Sequence, residues 1–309
     1  MLKGKSIVSI DDVGTEDFIE IFKIASQLKK KVLKQEKIDM MDGKIMATLF
    51  FEPSTRTRLS FESAMHRLGG SVITVSEPKS SSAVKGETVA DTMRMAASYS
   101  DVIVIRHPLE GAARLATEFS RVPVLNAGDG SGQHPTQTLL DLFTIWEKFG
   151  RIDNLDISLV GDLKYGRTVH SLVKALNRFE NKINLISPEI LKMPDHFIST
   201  LRDRESINVN TSIEEYLATS DVFYVTRIQK ERFVDMNDYN KVIGSYSFNS
   251  ETVSRMKSEA IILHPLPRVD EIHPDVDIDK RATYFKQAEN GVYVRMAIIK
   301  MILGGELNE

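Results

Sequence analysis

Short apolar runs rich in β-branched residues alternate along the chain with longer stretches whose apolar positions recur every three or four residues. In the first half the strand-like runs fall at 45–50, 72–75, 101–105 and 122–125, and helical periodicity covers 16–33, 55–68, 88–99 and 112–119. A longer helix is predicted over 133–149. Further strand-like runs then follow at 156–160, 183–186, 221–225 and 260–263, with a helical run over 168–179. Parallel strands need a crossover long enough to hold a helix, so this alternation predicts parallel βαβ units. The expected fold class is α/β, with two doubly wound parallel-sheet domains joined by helices. A boundary near Gly150 gives domains over 1–149 and 150–287. The last segment, 289–303, reads as an amphipathic helix through Val292, Met296, Ile299 and Leu303, and periodicity alone does not say which domain it joins.

The length of 309 residues fits two domains at roughly 150 residues each. With 42% hydrophobic and 27% charged residues, the composition is that of a folded globular chain rather than a disordered one. Forty Lys and Arg against 43 Asp and Glu leave a net charge of −3, which argues against a protein whose main task is neutralising nucleic-acid phosphates. There is no cysteine, so disulfides, thiolate nucleophiles and Cys-ligated metals are excluded. The start of the chain lacks an extended apolar segment and no run of about 18 apolar residues occurs. A cytoplasmic protein that does not enter a membrane is expected.

The chemistry concentrates where predicted strands end. Ser54-Thr55-Arg56-Thr57-Arg58 follows the 45–50 run and opens a helix. An isolated Ser-Thr-Arg would be an N-cap beside a solvated arginine. Five hydroxyl and guanidinium residues in a row, at the end of a helix that carries unpaired N–H groups and partial positive charge, read instead as an anion site. The polar run Ser80–Thr88, with Ser81 and Lys85, reads as a mobile loop that could bring a lysine charge to that anion. Arg106-His107-Pro108 ends another strand. His134 and Gln137 lie three apart at a helix start, so they share a face. In the second half Arg167 lies at the helix start after 156–160, and Arg227 and Gln229 follow 221–225. His264-Pro265-Leu266-Pro267 follows 260–263, where two prolines stiffen the backbone enough to aim carbonyl oxygens. Neither glycine-rich stretch, 128–132 or 161–166, has dinucleotide spacing, and no His-Glu-x-x-His or Gly-x-Ser-x-Gly motif occurs.

In this order, Ser54 to Arg58, the Lys85 loop, Arg106-His107-Pro108, His134-Pro135-Thr136-Gln137 and His264-Pro265-Leu266-Pro267 resemble the carbamoyltransferase family, over nearly the whole chain from Phe51 to Arg295. The stretches 161–168 and 226–232 resemble its aspartate branch. Ornithine enzymes show His-Cys-Leu-Pro and Ser-Met-Gly instead, which leaves ornithine as the alternative substrate. The resemblance implies transfer of a carbamoyl group from carbamoyl phosphate to the amine of L-aspartate, an early step of pyrimidine synthesis, without metal or cofactor. It implies that Ser54, Thr55, Arg56, Thr57 and Arg106 hold the phosphate. Thr57, Arg106 and His134 would meet the carbonyl oxygen, and Gln137 with the carbonyls of Pro265 and Leu266 the carbamoyl amide. Arg167, Arg227 and Gln229 would hold aspartate. It further implies a homotrimer in which Ser81 and Lys85 enter the neighbouring subunit's site, a C-terminal helix over 288–309 packing back on the first domain, and room for separate regulatory chains. Val84 departs from members with two successive lysines, which weakens the charge of that loop. An inactive module of the same fold is the other reading, and the retention of every polar motif weighs against it.

Overall fold

The computed structural model describes residues 2–75, 86–233 and 235–304. It divides into two compact units, Met1–Phe143 with Glu289–Glu309, and Thr144–Ala288.

In the first unit, among the described residues, β1 (Ile45–Phe50), β2 (Ser71–Val75), β3 (Val102–His107) and β4 (Val124–Asp129) form one parallel sheet in the order β2-β1-β3-β4. Strand β3 begins Val-Ile-Val-Ile and is buried through Arg106. A strand covered on both faces needs such an unbroken apolar run. The helices are α1 (Thr15–Leu33), α2 (Thr55–Arg67), α3 (Val89–Tyr99), α4 (Ala112–Phe119) and the greater part of α5 (Pro135–Phe149). Val8, Leu49, Met93, Ile103, Ile105 and Val124 share one core. The chain places β2 on one side of β1 and β3 on the other, so the order reverses between β1 and β3. At such a point the carboxyl ends of neighbouring strands open a crevice suited to ligands.

The second unit repeats the plan with β5 (Asp156–Val160), β6 (Lys182–Ile186), β7 (Ile207–Asn210), β8 (Val222–Val225) and β9 (Ile261–Leu263), all parallel in the order β7-β6-β5-β8-β9. Its order reverses between β5 and β8. Helices α6 (Arg167–Leu176), α7 (Asp195–Ile198), α8 (Glu214–Leu217), α9 (Met236–Val242) and α10 (Ser250–Ser254) complete it. Its core gathers Val160, Phe223, Phe248, Ile262 and Tyr284, with Phe223 and Phe248 edge to face at 5.8 Å. The last helix, α11 (Tyr284–Leu303), contributes its residues from Glu289 onward to the first unit, where Val294, Met296, Ala297 and Ile298 are fully buried.

The α/β alternation is as expected, and the departures are local. Strand β4 starts at Val124 rather than 122, because Pro123 has no N–H and the Ser120 hydroxyl closes a turn on Val122. Helix α6 ends at Leu176 because the Asn177 side chain turns to bond Arg202 N–H, Asp203 N–H and Asp203 C=O. Strand β7 and the short helices α7 to α10 are additions.

Candidate active site

Phe50, the last residue of β1, has Arg106 of β3 as its register partner. Beyond it the chain enters α2 with Ser54 as an extended N-cap, and no side chain closes this helix start. The first turn contains no acid. The amides of Thr55, Arg56 and Thr57 therefore lack intrahelical acceptors and carry the positive end of the helix dipole. Thr57 is buried, Ser54 half-buried, and Thr55 and Arg56 exposed. Neighbouring protein atoms displace some of the water around the Arg56 guanidinium and lower its pKa below the ordinary value, yet arginine remains protonated in proteins.

Arg106 is the buried cation of this edge, 8% exposed. Its Nη1 donates to Ala127 C=O at 3.2 Å and its Nη2 to Glu52 Oε1 at 3.0 Å. Its Nε has no acceptor. A buried charged donor left unmet is costly unless a ligand supplies the acceptor, and an anion at the end of β1 and β3 would do so. His107, next along, is not the charge here: burial lowers its pKa, and its Nδ1 accepts the Leu109 N–H at 3.1 Å.

Asp129, the last residue of β4, organises the loop that delivers His134. Its Oδ1 accepts from Asn126 Nδ2 and Gln133 N–H, both at 2.9 Å, and its Oδ2 from Gly111 N–H at 2.8 Å. Gly130, at φ +48°, has no room for a Cβ, which would come within 2.7 Å of the Glu110 nitrogen. His134 is 4% exposed and caps α5, its carbonyl accepting from Gln137 and Thr138. Gln137 lies on the first turn of α5 and donates from Nε2 to Asp141 Oδ1 at 2.9 Å.

In the second unit the loops after β5 and β8 are pinned together. Thr226 accepts Asp162 N–H on its hydroxyl at 3.0 Å, and its own N–H reaches Val160 C=O at 2.8 Å. Gly161, at φ +120°, is required there, because a Cβ would meet Thr226 O at 2.3 Å. Asp162 accepts the amides of Lys164 and Tyr165 and so shapes the turn into α6. Burial raises its pKa, and these N–H groups oppose the rise. Arg167 is the first residue of α6, and Arg227 and Gln229 follow β8, all three half-buried. They therefore share the carboxyl edge at the switch point between β5 and β8.

The loop after β9 is braced from inside. His264 Nδ1 accepts Leu266 N–H at 2.8 Å, its Nε2 lies 2.6 Å from Glu271 Oε1, and its own N–H donates to Gln287 at 2.7 Å. Leu266 has φ +54° and is followed by a cis peptide to Pro267.

Among the sequence-predicted residues, Ser54, Thr55, Arg56, Thr57, Arg106, His134 and Gln137 thus gather at the carboxyl edge of the first sheet. Arg167, Arg227, Gln229, Pro265 and Leu266 gather at that of the second. Ser81 and Lys85 lie outside the described residues. Sequence reasoning passed over Glu52, Asp129, Asp141, Asp162 and Glu271, the acids that hold these residues in place. Two of them carried a signal, since Asp129 is flanked by Gly128 and Gly130 and Asp162 follows Gly161 directly after a strand. Among the described residues no group of three or more His, Cys, Asp or Glu could hold a metal ion, and no helix is long and apolar enough to cross a membrane.

Comparison with known proteins bears on both edges. Residues 5–147 match the carbamoyl-P binding domain of the aspartate/ornithine carbamoyltransferases, and residues 153–302 match their Asp/Orn binding domain. The aspartate carbamoyltransferase catalytic subunit of Thermoplasma volcanium is 63% identical over 304 residues, covering 98% of this chain and 100% of that one. The catalytic subunit of M. jannaschii aspartate transcarbamoylase superposes with a TM-score of 0.90 at 52% identity, covering 97% of this chain and 98% of that one. Trypanosoma cruzi aspartate transcarbamoylase in complex with N-(phosphonacetyl)-L-aspartic acid gives a TM-score of 0.93 at 42% identity, covering 98% of this chain and 97% of that one.

Proposed function

The chain belongs to the aspartate/ornithine carbamoyltransferase family, and from that premise we propose that it transfers the carbamoyl group of carbamoyl phosphate to the amine of L-aspartate. The products are N-carbamoyl-L-aspartate and phosphate, as pyrimidine synthesis requires. The observation that carries the reading is Arg106, a buried guanidinium with an unmet Nε donor beside a helix start free of acid. Residues 1–149 act as the carbamoyl phosphate domain, with the C-terminal helix belonging to it, and 150–287 as the aspartate domain.

The phosphate is held by Ser54, Thr55, Arg56, Thr57 and Arg106. Attack of the amine turns the planar carbamoyl carbon tetrahedral and moves charge onto its oxygen. Thr57, Arg106 and His134 donate to that oxygen, and fixed donors favour the charged transition state over the neutral ground state. Gln137 and the carbonyls of Pro265 and Leu266 accept from the carbamoyl NH2. Phosphate leaves as a competent anion and can take the amine proton, so the balance closes without a covalent enzyme intermediate. Arg167 and Arg227, with Gln229, hold the two carboxylates of aspartate, since two anions call for two cations, whereas the second amine of ornithine calls for an acid. Ser81 and Lys85 complete the phosphate site from an adjacent subunit of a homotrimer located in the cytoplasm, and the trimer can carry separate regulatory chains.

Phosphate release from carbamoyl phosphate by the purified protein tests the assignment. Release that depends on L-aspartate is expected. Equal or faster turnover with ornithine overturns the aspartate reading, and turnover with neither revives the inactive module.

A further inference from the structure

Gln137 is ambiguous on its own. Its side-chain amide has a donor end and an acceptor end of nearly the same shape, and a site that must receive an NH2 group needs the acceptor end. The surroundings remove the ambiguity. One turn further along α5, Asp141 is fully buried and takes Gln137 Nε2–H on Oδ1 at 2.9 Å. An ionised carboxylate only accepts, so the amide nitrogen must turn toward it and Oε1 is the end left for a ligand.

A buried carboxylate is helped by a nearby positive charge, and Arg295 of α11 stands against the first turn of α5 in the same compact unit, reaching Thr136, the neighbour of Gln137, so that its charge bears on Asp141. Arg295 is 3% exposed, with Nη1 donating to Ser60 Oγ at 2.7 Å, Nη2 to Thr136 Oγ1 at 3.4 Å, and its guanidinium over the Phe61 ring at 4.8 Å. Burial pulls its pKa down to about 10, and the charge of Asp141 opposes that pull, so the guanidinium stays protonated at neutral pH. The space it occupies is made by Gly291, where a Cβ would stand 2.4 Å from Nη1. Glycine inside a helix costs about 1 kcal/mol relative to alanine, so room for this guanidinium is kept at the expense of helix stability.

We infer that Asp141, with the buried charge of Arg295 close by, is a positioning residue that locks the Gln137 amide with its oxygen toward the substrate, and so makes the site specific for a carbamoyl donor over an acyl donor lacking the NH2 group. The inference rests on the proposed role of Gln137 at the carbamoyl amide and adds the device that fixes its polarity. A methyl group offers no hydrogen to Oε1 and leaves that acceptor unmet, which is how a polar pocket rejects an apolar isostere. With the lock removed, Gln137 can turn its NH2 outward toward a ligand carrying no donor, and the penalty against that ligand falls.

Two stable probes separate these effects. Phosphonoacetamide and acetonylphosphonate share the phosphonate and the carbonyl and differ only in NH2 against CH3. The ratio of their dissociation constants is measured by calorimetry for the intact protein, Gln137→Met, Asp141→Asn and the double variant Asp141→Leu/Arg295→Met. The double variant removes both charges together and keeps the core filled, which guards against a single variant that fails to fold around an uncompensated Arg295. The intact protein should prefer the amide, and Gln137→Met should lower that preference to what the Pro265 and Leu266 carbonyls alone supply. Asp141→Asn should lower it by roughly fivefold, the difference between a charge-assisted and a neutral hydrogen bond. The double variant should lower it further. A merely structural role would weaken both probes alike. If Gln137→Met lowers the preference while the folded Asp141 variants keep it at the level of the intact protein, the inference is overturned and the role of Gln137 stands. If Gln137→Met leaves the preference undiminished, that role falls and the inference with it.

Discussion

The imidazole of His264 joins two points of its own loop: Nδ1 accepts the Leu266 N–H at 2.8 Å, which leaves the ring proton on Nε2, 2.6 Å from Glu271 Oε1. Both side chains are buried, at 1% and 6% exposure. Glu271 Oε2 also accepts the amides of Val269 and Asp270 at 3.2 Å. Leu266 meanwhile holds a left-handed backbone at φ +54°, which costs a branched residue about 1 kcal/mol or more. The loop keeps that shape because one carboxylate and one imidazole tie it from the inside, and the carbonyls of Pro265 and Leu266 are aimed as a result.

Glu271→Ala should therefore destabilise the protein by about 2–4 kcal/mol in urea denaturation, since it strands a buried ring N–H and two amides. The effect also carries a pH signature. Burial alone would raise the Glu271 pKa, but His264 and the loop amides hold it below its ordinary 4.5. A carboxyl lowered on folding adds stability that is present above its unfolded value and lost as pH falls through its folded value. The stability gap between the intact protein and Glu271→Gln should narrow as pH drops below about 4.5. A gap that widens there would show that Glu271 is not held as an anion.

The two arginines at the two sheet edges should separate in kinetics. Arg56→Ala should weaken carbamoyl phosphate binding and turnover, whereas Arg167→Ala should chiefly raise the aspartate requirement. Each loses a preorganised charged hydrogen bond, worth about 2–4 kcal/mol, or roughly 30- to 1,000-fold. Carbamoyl phosphate binding measured without aspartate checks the division, which fails if Arg167→Ala abolishes that binding.

Much of this was legible in the chain because strands buried on both faces leave apolar runs, as the Val-Ile-Val-Ile that opens β3 and the Val-Phe-Tyr-Val of β8 do. The residues proposed to meet the substrates also stood out, because arginines and hydroxyls directly after such runs have few other reasons to cluster. Strand β7 did not stand out. Its four residues, Ile-Asn-Val-Asn, lie at a sheet edge, three half-buried and Val209 exposed, so neither length nor hydrophobicity marks them. The supporting acids stayed hidden for a different reason: Asp141 and Glu271 read as solvated charges until burial and partners are known. Arg295 looked like one more polar position on an amphipathic helix, and only the fold reveals the space that Gly291 makes for it.

Gly161→Ala tests how tightly the second unit's edge is built. The new Cβ would meet a backbone oxygen of Thr226 at 2.3 Å, and φ there is +120°. Neither backbone can move without breaking the Thr226 N–H to Val160 bond. A loss of about 2–4 kcal/mol is expected from overpacking and backbone strain together. Because Arg167 and Arg227 hang from these same two loops, the aspartate KM should rise with little change in carbamoyl phosphate affinity. Thermal unfolding and the two affinities check this, and an unchanged aspartate KM in the folded variant would detach the two arginines from the brace.

The proposed trimer makes the sharpest demand on the assignment. A phosphate site completed by Ser81 and Lys85 of an adjacent subunit is buried by the interface, and lower local polarity strengthens every charge contact made there. Arg56→Ala and Lys85→Ala should each leave the assembly nearly inactive, for one removes a cation from the chain that owns the site and the other removes the cation lent to it. Dissociating and reassociating a mixture of the two should then restore activity. In a hybrid, one arrangement sets an intact Arg56 from one variant beside an intact Lys85 from the other. A site built within a single chain has no such arrangement, because every chain carries one of the two lesions. Hybrid assemblies of confirmed mixed composition that stay as inactive as their parents would refute the shared site while leaving the carbamoyl-transfer chemistry in place.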